Sequence, residues 1–444
     1  MTTNTSFDIT RPLPQGTVLL AASAGTGKTW TISAVCAKAI ATGLVHMENL
    51  LLVTFNRSAA RELRGRVYER LVNTRLLLAG AREPSDPCDW SLIRCGQAGL
   101  TRVESALDNF DRAVITTTHE FASRMLVELG VLSDHDPSSV LMTDLAPLAT
   151  EVSDDHYLAQ YLDCDRPPSV RDKRELSRDV AVKYGEVPIF SKDDADTPVQ
   201  DVLWALSVRE DVRRRSKSRS VHTFDDLIGD LVKALRDPYR GPLACATLAH
   251  RFGLVMVDEF QDTDPLQWEI LRRAFHGHSN LWLIGDPKQS IYAFRGADIH
   301  AYQDAAQSAS HVLHLDVNYR TDKPIVEAVN TLFSNAQLGH DISMELVTAH
   351  HQESRIKTAA TDGPRYHWSQ PFQIRCLQAP AGAQLNTATS DQFVTEDLVN
   401  QVIMMLEGGT VVQDGDGLRP LRPTDIAILV RTRRRGAELA TALS

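Results

Sequence analysis

The chain has 444 residues, 43% hydrophobic and 23% charged, with a formal net charge of −10. This is an ordinary globular composition with room for about two to four domains. The acidic balance argues against a uniformly basic nucleic-acid binder while leaving room for a local basic groove.

No apolar run reaches the roughly 18 residues of a membrane span. The N-terminus MTTNTSFD lacks the basic and apolar regions of an export signal. Six scattered cysteines make no disulfide framework, and Cys88 and Cys95 are too isolated from other ligands to form a zinc site. No membrane association and a cytoplasmic location are therefore expected.

In chain order, PLPQG (12–16) is an irregular lead-in. On spacing alone, Gln15 reads as a solvated loop residue, although its amide has the donor and acceptor needed to read an adenine edge. Next, an apolar strand at 17–20 runs into AASAGTGKT (21–29) and a helix from Trp30 to Ile40. Strand, glycine turn and helix in that order suit a triphosphate, because the turn and the helix start aim backbone N–H groups at phosphate. The expected phosphate-site residues are Ala22, Ser23, Ala24, Gly25, Thr26, Gly27, Lys28 and Thr29, with Lys28 on the β- and γ-phosphates and Thr29 on Mg²⁺. Ala22 stands where the full pattern has its first glycine.

LLLVTF (50–55) is a buried parallel strand, and a helix opens after it with Arg57, Arg61, Arg64 and Arg66 within three turns. Thr54, Phe55, Asn56, Arg57 and Arg64 are candidates for a nucleic-acid backbone. The plainer reading is a solvated helix face paired with Glu62 and Glu69. Residues 79–100, rich in Gly, Pro, Ser and Asp, read as a surface excursion. A strand at 113–118 then leads into a helix, with Thr118 and His119 at the junction placed to touch a nucleic-acid strand. From about 130 to 222 the strand–helix alternation lapses into an inserted helical subdomain ending in a basic cluster at 213–219.

The alternation resumes at 223. VMVDEFQDTD (255–264) is a buried strand ending in two carboxylates, where ligand sites of open α/β sheets lie. Asp258 is placed to hold Mg²⁺, and Glu259 to polarise an attacking water. LWLIGDPKQSIYAFR (281–295) is a second such strand, with Gln289 poised to sense the γ-phosphate and with Tyr292, Phe294 and Arg295 available to nucleic acid. VLHLDVNYR (312–320) ends a third, where Tyr319 can stack on adenine and Arg320 can neutralise the leaving phosphate. Strands at 371–378 and 425–431 and a helix at 394–406 follow.

AASAGTGKT, LLVTFNRSAARELRGRV, VITTTHEF, VMVDEFQDTDPLQWEIL, LWLIGDPKQSIYAFRGAD and LDVNYR resemble the successive motifs of the superfamily 1, UvrD/Rep-like DNA helicases. PLPQG and the VDEFQDTDPLQ and GDPKQSIYAFRGAD forms are most similar to its RecB branch, although AddA-type and other UvrD-like proteins share most of these words. The resemblance implies an α/β P-loop NTPase of RecA-like fold. A first motor domain at 1–129 and 223–335 is split by a helical insertion at 130–222. A linker and incomplete second RecA-like domain occupy 336–444.

It further implies ATP and Mg²⁺ as cofactors. Gln15 would read adenine, Asp258 and Glu259 would serve metal and water, Gln289 would couple the γ-phosphate to DNA, and Arg320 would contact that phosphate. Tyr292 and Phe294 would line the single-strand track. Single-stranded or forked DNA and RecC- and RecD-like subunits are the implied partners, in double-strand-break repair and recombination. The family's later motifs and the RecB nuclease constellation have no counterpart before Ser444, so the expectation is an N-terminal motor fragment. The alternative is a catalytically incomplete P-loop protein that binds DNA or a partner.

Overall fold

The structure, a computed structural model, describes residues 5–133, 140–142, 144–182, 199–292, 296–334, 336–339, 342, 344–357, 371–379, 386–415 and 417–443. The strands in chain order begin with β1 (Thr5–Ser6), β2 (Thr17–Ala22), β3 (Leu50–Thr54), β4 (Val114–Thr117), β5 (Val140–Leu141), β6 (Val221–His222) and β7 (Leu254–Val257). They continue with β8 (Asn280–Gly285), β9 (His311–Leu315), β10 (Val317–Asn318), β11 (Thr348–Ala349), β12 (Ile356–Lys357), β13 (Val411–Asp414) and β14 (Gly417–Pro420).

The helices are α1 (Lys28–Thr42), α2 (Arg57–Leu78), α3 (Pro87–Leu92), α4 (Gly96–Asp108), α5 (Thr118–Leu129), α6 (Ala146–Tyr161), α7 (Val170–Leu176) and α8 (Val199–Ser218). After these come α9 (Phe224–Arg236), α10 (Gly241–Arg251), α11 (Pro265–Phe275), α12 (Ile299–Ser308), α13 (Lys323–Leu332), α14 (Thr387–Glu407) and α15 (Arg433–Leu443). Two compact units divide the chain: Met1–Ala22 with Lys28–Leu315, and Ser23–Gly27 with Asp316–Ser444.

The first unit is built on a seven-stranded sheet in the order β1-β9-β2-β8-β7-β3-β4, every neighbouring pair parallel. Its central strands are buried on both faces, as their unbroken Leu/Val/Ile runs require. One face packs Phe121, Phe252 and Phe275 with residues of α5, α9 and α11. The other packs α1, α2 and α4 around Ile32, Leu71 and Trp282. This is the expected α/β P-loop architecture.

Residues 79–100 correct the sequence reading. They contain α3 and the start of α4, with Cys88, Asp89 and Leu92 wholly buried. Asp86 caps α3 by accepting from the Asp89 N–H, and Pro87 supplies its first turn. Buried Arg70 of α2 holds Asp86 at 2.5 Å and Asp89 at 3.1 Å, and Arg82 reaches the same Asp89 at 2.5 Å. A loop-like composition is pulled into the core because four charges close on one another there.

The segment between α5 and α9 is mostly helical in its described residues. Leu148, Val152, Trp204, Val208 and Val212 of α6 and α8 form its core. Its basic cluster is largely answered within the segment: Arg215 binds Glu151 and Asp155, Arg219 binds Glu151, and Arg214 binds Asp211. Thr223 ends the segment as the N-cap of α9, in a reciprocal capping box with Asp226.

In the second unit, β10 pairs with β11 and β12-β13-β14 form a small antiparallel sheet. Two expected strands are absent: 371–378 is exposed and unladdered, and a short 3₁₀ turn at Pro423–Asp425 leads into non-strand backbone. Period-two apolarity marks a strand only where a neighbour completes the ladder. None of the described helices is long and apolar enough to cross a membrane.

Glu269 of α11 accepts from Arg236 of α9 and Arg273 of its own helix. The hydrogen bond from Arg236, with Arg273 adding to it, lowers its carboxyl from 4.5 to about 2. The depressed value means stabilisation that is complete above about pH 4.5 and lost as pH falls through about 2. Glu269→Gln is expected to cost about 1–3 kcal/mol at neutral pH and to flatten the acid limb of stability, read by urea titration across that window.

Candidate active site

The site lies at the carboxyl ends of β2, β3, β7 and β8 in the first unit. Lys28 opens α1, and its Nζ sits 2.7 Å from Oε2 of Glu259, beyond the end of β7. Neither partner is fully buried, the side chains being 13% and 33% exposed. Glu259 occupies the left-handed region at φ 53°, uncommon for a non-glycine residue and a local strain that functional sites retain. Its N–H donates to Asp258 Oδ1 at 3.0 Å, while the Asp258 N–H donates to the Val53 carbonyl at 2.8 Å, docking the acid pair on β3.

Burial, then the adjacent Glu259, pushes the Asp258 carboxyl up from 3.8 to about 6, against the lowering pull of Lys28. Thr29, Thr54, Phe55, Asp258, Glu259, Gln289 and Tyr292 line one cavity of about 550 Å³. The Thr54 hydroxyl is buried with no hydrogen-bond partner, at the end of the strand beside Asp258.

β8 ends at Gly285, and Asp286 caps a short 3₁₀ turn at Pro287–Gln289. Asp286 is buried and accepts from the Lys288 N–H, from Lys288 Nζ at 2.8 Å and from Gln289 Nε2 at 2.7 Å. Gln289 is thus held by a carboxylate. Tyr292 packs on Phe55 with ring centroids 4.9 Å apart. The structure brings together Lys28, Thr29, Asp258, Glu259, Gln289, Phe55 and Tyr292. Phe294 and Arg295 lie outside the described residues.

The other candidates are more dispersed. Asn56 caps α2 by accepting from the Ala59 N–H. Arg57 pairs with Glu120 at 2.8 Å, and Arg64 pairs with Asp111 at 3.0 Å while lying over Phe110. Thr118 begins α5, and His119 meets Phe224 edge-on across a second cavity of about 500 Å³ that also contains Arg57 and Arg124. Gln15 is exposed, and Ala22 ends β2 opposite Leu315.

Within the second unit, the turn of Ser23, Ala24, Gly25, Thr26 and Gly27 is tied to 318–320. Asn318 Nδ2 donates to the Ala24 carbonyl at 3.0 Å, and the Tyr319 N–H donates to the Gly25 carbonyl at 2.8 Å. A Cβ on Gly25 would come within 2.8 Å of Arg320 Cβ, and its φ is +82°, so only glycine serves there. Tyr319 packs against His350 with ring centroids 4.8 Å apart. Sequence reasoning passed over Asn318, Gln261 and Asp286. Each lies inside a quoted motif, but its role is a matter of where its amide or carboxylate points.

A model of the UvrD/REP helicase N-terminal domain matches residues 3–310. The chain belongs to the UvrD/Rep helicase family. That membership implies nucleotide binding. The chain is 36% identical over 444 aligned residues to RecBCD enzyme subunit RecB of Mycolicibacterium smegmatis, covering 96% of this chain and 39% of the relative. The RecB subunit of Mycobacterium tuberculosis is 35% identical over 456 residues, at 99% and 40% coverage. ATP-dependent DNA helicase UvrD1 of Mycobacterium bovis is 27% identical over 326 residues, at 71% and 37% coverage. The chain thus spans about two-fifths of the length of these relatives.

The raised Asp258 carboxyl predicts a measurable trade. Because its folded value exceeds the ordinary 3.8, the ionised group costs stability as pH rises from about 4 through about 6. Asp258→Asn is expected to stabilise the nucleotide-free chain by about 1–3 kcal/mol at pH 7 and scarcely at pH 4, read by chemical denaturation at the two values.

Proposed function

We propose that the chain is the motor segment of a RecB-like, ATP-dependent DNA helicase, coupling ATP hydrolysis to movement on single-stranded DNA in double-strand-break repair and recombination. The observation that supports it most is the pair between Lys28 and the strained Glu259, beside Asp258 at the sheet's carboxyl edge. In the nucleotide-free chain the Glu259 carboxylate occupies Lys28, standing in for a phosphate oxygen. A triphosphate in the turn would take Lys28 and release Glu259 to accept a proton from an attacking water.

Thr29 and Asp258 would hold Mg²⁺, and the residues fit it: a hydroxyl and a carboxylate border one cavity with the unpartnered Thr54 hydroxyl between strands. Bound there, the ion would neutralise charge on the β- and γ-phosphate oxygens. Gln15 and Tyr319 would take the adenine, and Gln289 and Arg320 the γ-phosphate. Phe55 and Tyr292 offer their packed rings to unpaired bases, with Asn56, Arg57, Thr118 and His119 along the same edge of the sheet and Arg64 further along α2. RecC- and RecD-like subunits in the cytoplasm are the proposed partners, since the RecB relatives are named as subunits of the RecBCD enzyme. A protein that only bound DNA would gain nothing from a strained water activator.

Lys28→Ala is expected to weaken a fluorescent ATP analogue by about tenfold or more with the circular dichroism unchanged. Wild-type and variant titrating alike would overturn the phosphate-site assignment. Separately, Tyr292→Ala should weaken oligo-dT binding by about 1–3 kcal/mol while leaving analogue affinity intact, measured by fluorescence anisotropy at fixed salt.

A further inference from the structure

Gln261 lies two residues beyond Glu259, is 2% exposed, and uses both ends of its amide. Its Nε2 donates to Oε2 of Glu259 at 2.7 Å, the same oxygen that holds Lys28. Its Oε1 accepts from the Asp286 N–H at 2.9 Å, which fixes the amide orientation because a backbone N–H can only donate. Its own carbonyl accepts from Ser290 Oγ at 3.1 Å.

The loop between β8 and Tyr292 is shaped around this side chain. A Cβ on Gly285 would stand 2.5 Å from Gln261 Oε1 and 3.1 Å from its backbone nitrogen, so position 285 has room only for glycine. From Asp286 the chain of contacts continues through its carboxylate to Gln289.

We propose that Gln261 is a positioning residue that links the state of Glu259 to the loop carrying Gln289 and Tyr292, so that nucleotide and single-stranded DNA sense each other through one buried amide. The inference rests on the proposed function. When Lys28 leaves Glu259 for a phosphate, Gln261 remains as a donor on that oxygen. Any movement of the carboxylate then pulls on an amide whose far end holds the Asp286 backbone. A buried amide with both ends engaged transmits displacement because leaving either end unpaired is costly.

The test uses Gln261→Met, which keeps length and burial but neither hydrogen bond, and Gln261→Glu, which keeps the acceptor for the Asp286 N–H. Hydrogen exchange on the nucleotide-free chain reads the amides of 286–292. Oligo-dT affinity with and without a non-hydrolysable ATP analogue and Mg²⁺ reads the coupling. Expected for Gln261→Met are faster exchange at Asp286, analogue affinity within about twofold of wild type, and a coupling ratio reduced by about fivefold or more. Gln261→Glu should restore protection at Asp286. A Gln261→Met chain with wild-type coupling and wild-type exchange overturns the inference, as does equal loss of analogue affinity and coupling, the mark of a merely structural role. Should Gln261→Met fail to fold, Gln261→Glu decides. It keeps the acceptor for the Asp286 N–H but loses the donor to Glu259, so coupling must fall while Asp286 stays protected, and wild-type coupling overturns the inference. If the wild-type chain takes up no analogue, the proposed function itself falls.

Discussion

The contact on which the site turns is the ion pair between Lys28 and Glu259. Its partial exposure sets its strength. A fully exposed pair contributes about 0–1 kcal/mol and would leave Lys28 free to wander, whereas breaking a fully buried one costs about 3–5 kcal/mol and would resist a ligand. With side chains 13% and 33% exposed, the pair lies between these limits. It holds the lysine over the start of α1, yet a more highly charged phosphate can take it. The site is therefore kept in order by the Glu259 carboxylate.

That balance depends on a sheet whose strands all end at one edge. β2, β8, β7 and β3 are adjacent and parallel, so Lys28 after β2, Asp258 and Glu259 after β7, the Asp286 turn after β8 and Thr54 on β3 converge. Parallel strands need long crossovers, and these put helices on both faces and dry out the strands. Dryness is what raises the Asp258 carboxyl, and the same dryness makes the Gln261 amide a stiff connection instead of a solvated one. One topological choice thus sets both the acid chemistry and the hydrogen bonding around it.

Much of this was legible in the residues. Apolar runs ending in Asp-Glu, in Gly-Asp and in Asn-Tyr-Arg read as strands with ligands at their ends, and β7, β8, β9 and β10 lie there. What could not be read was pairing. Arg70, Arg82, Asp86 and Asp89 look like four surface charges until α2 and α3 meet. Arg215 and Arg219 look like a free basic stripe until α6 brings Glu151 and Asp155 against them. Gln261 had no signal beyond being polar inside a buried stretch, because hydrogen-bond direction leaves no mark in spacing. The exposed residues 371–378 failed in the opposite sense: their pattern is strand-like, but a ladder needs a second strand.

The insertion shows why this sheet can carry an extra body without disturbing its site. The segment leaves after α5 through β5 and returns through β6, and these two short strands hydrogen-bond to each other, Val140 with Val221 and Leu141 with His222. Its ends are therefore pinned side by side, and its length adds only logarithmically to the closure cost. Among the described residues, its buried apolar side chains cluster among themselves around Trp204. The return is closed by the Thr223–Asp226 capping box, which starts α9 at a fixed position against α5 and α11. From there α10 leads into β7 and the acid pair. An element added at that junction can change what the surface meets while the register of β7 on β3, and with it the placement of Asp258, stays as the sheet dictates.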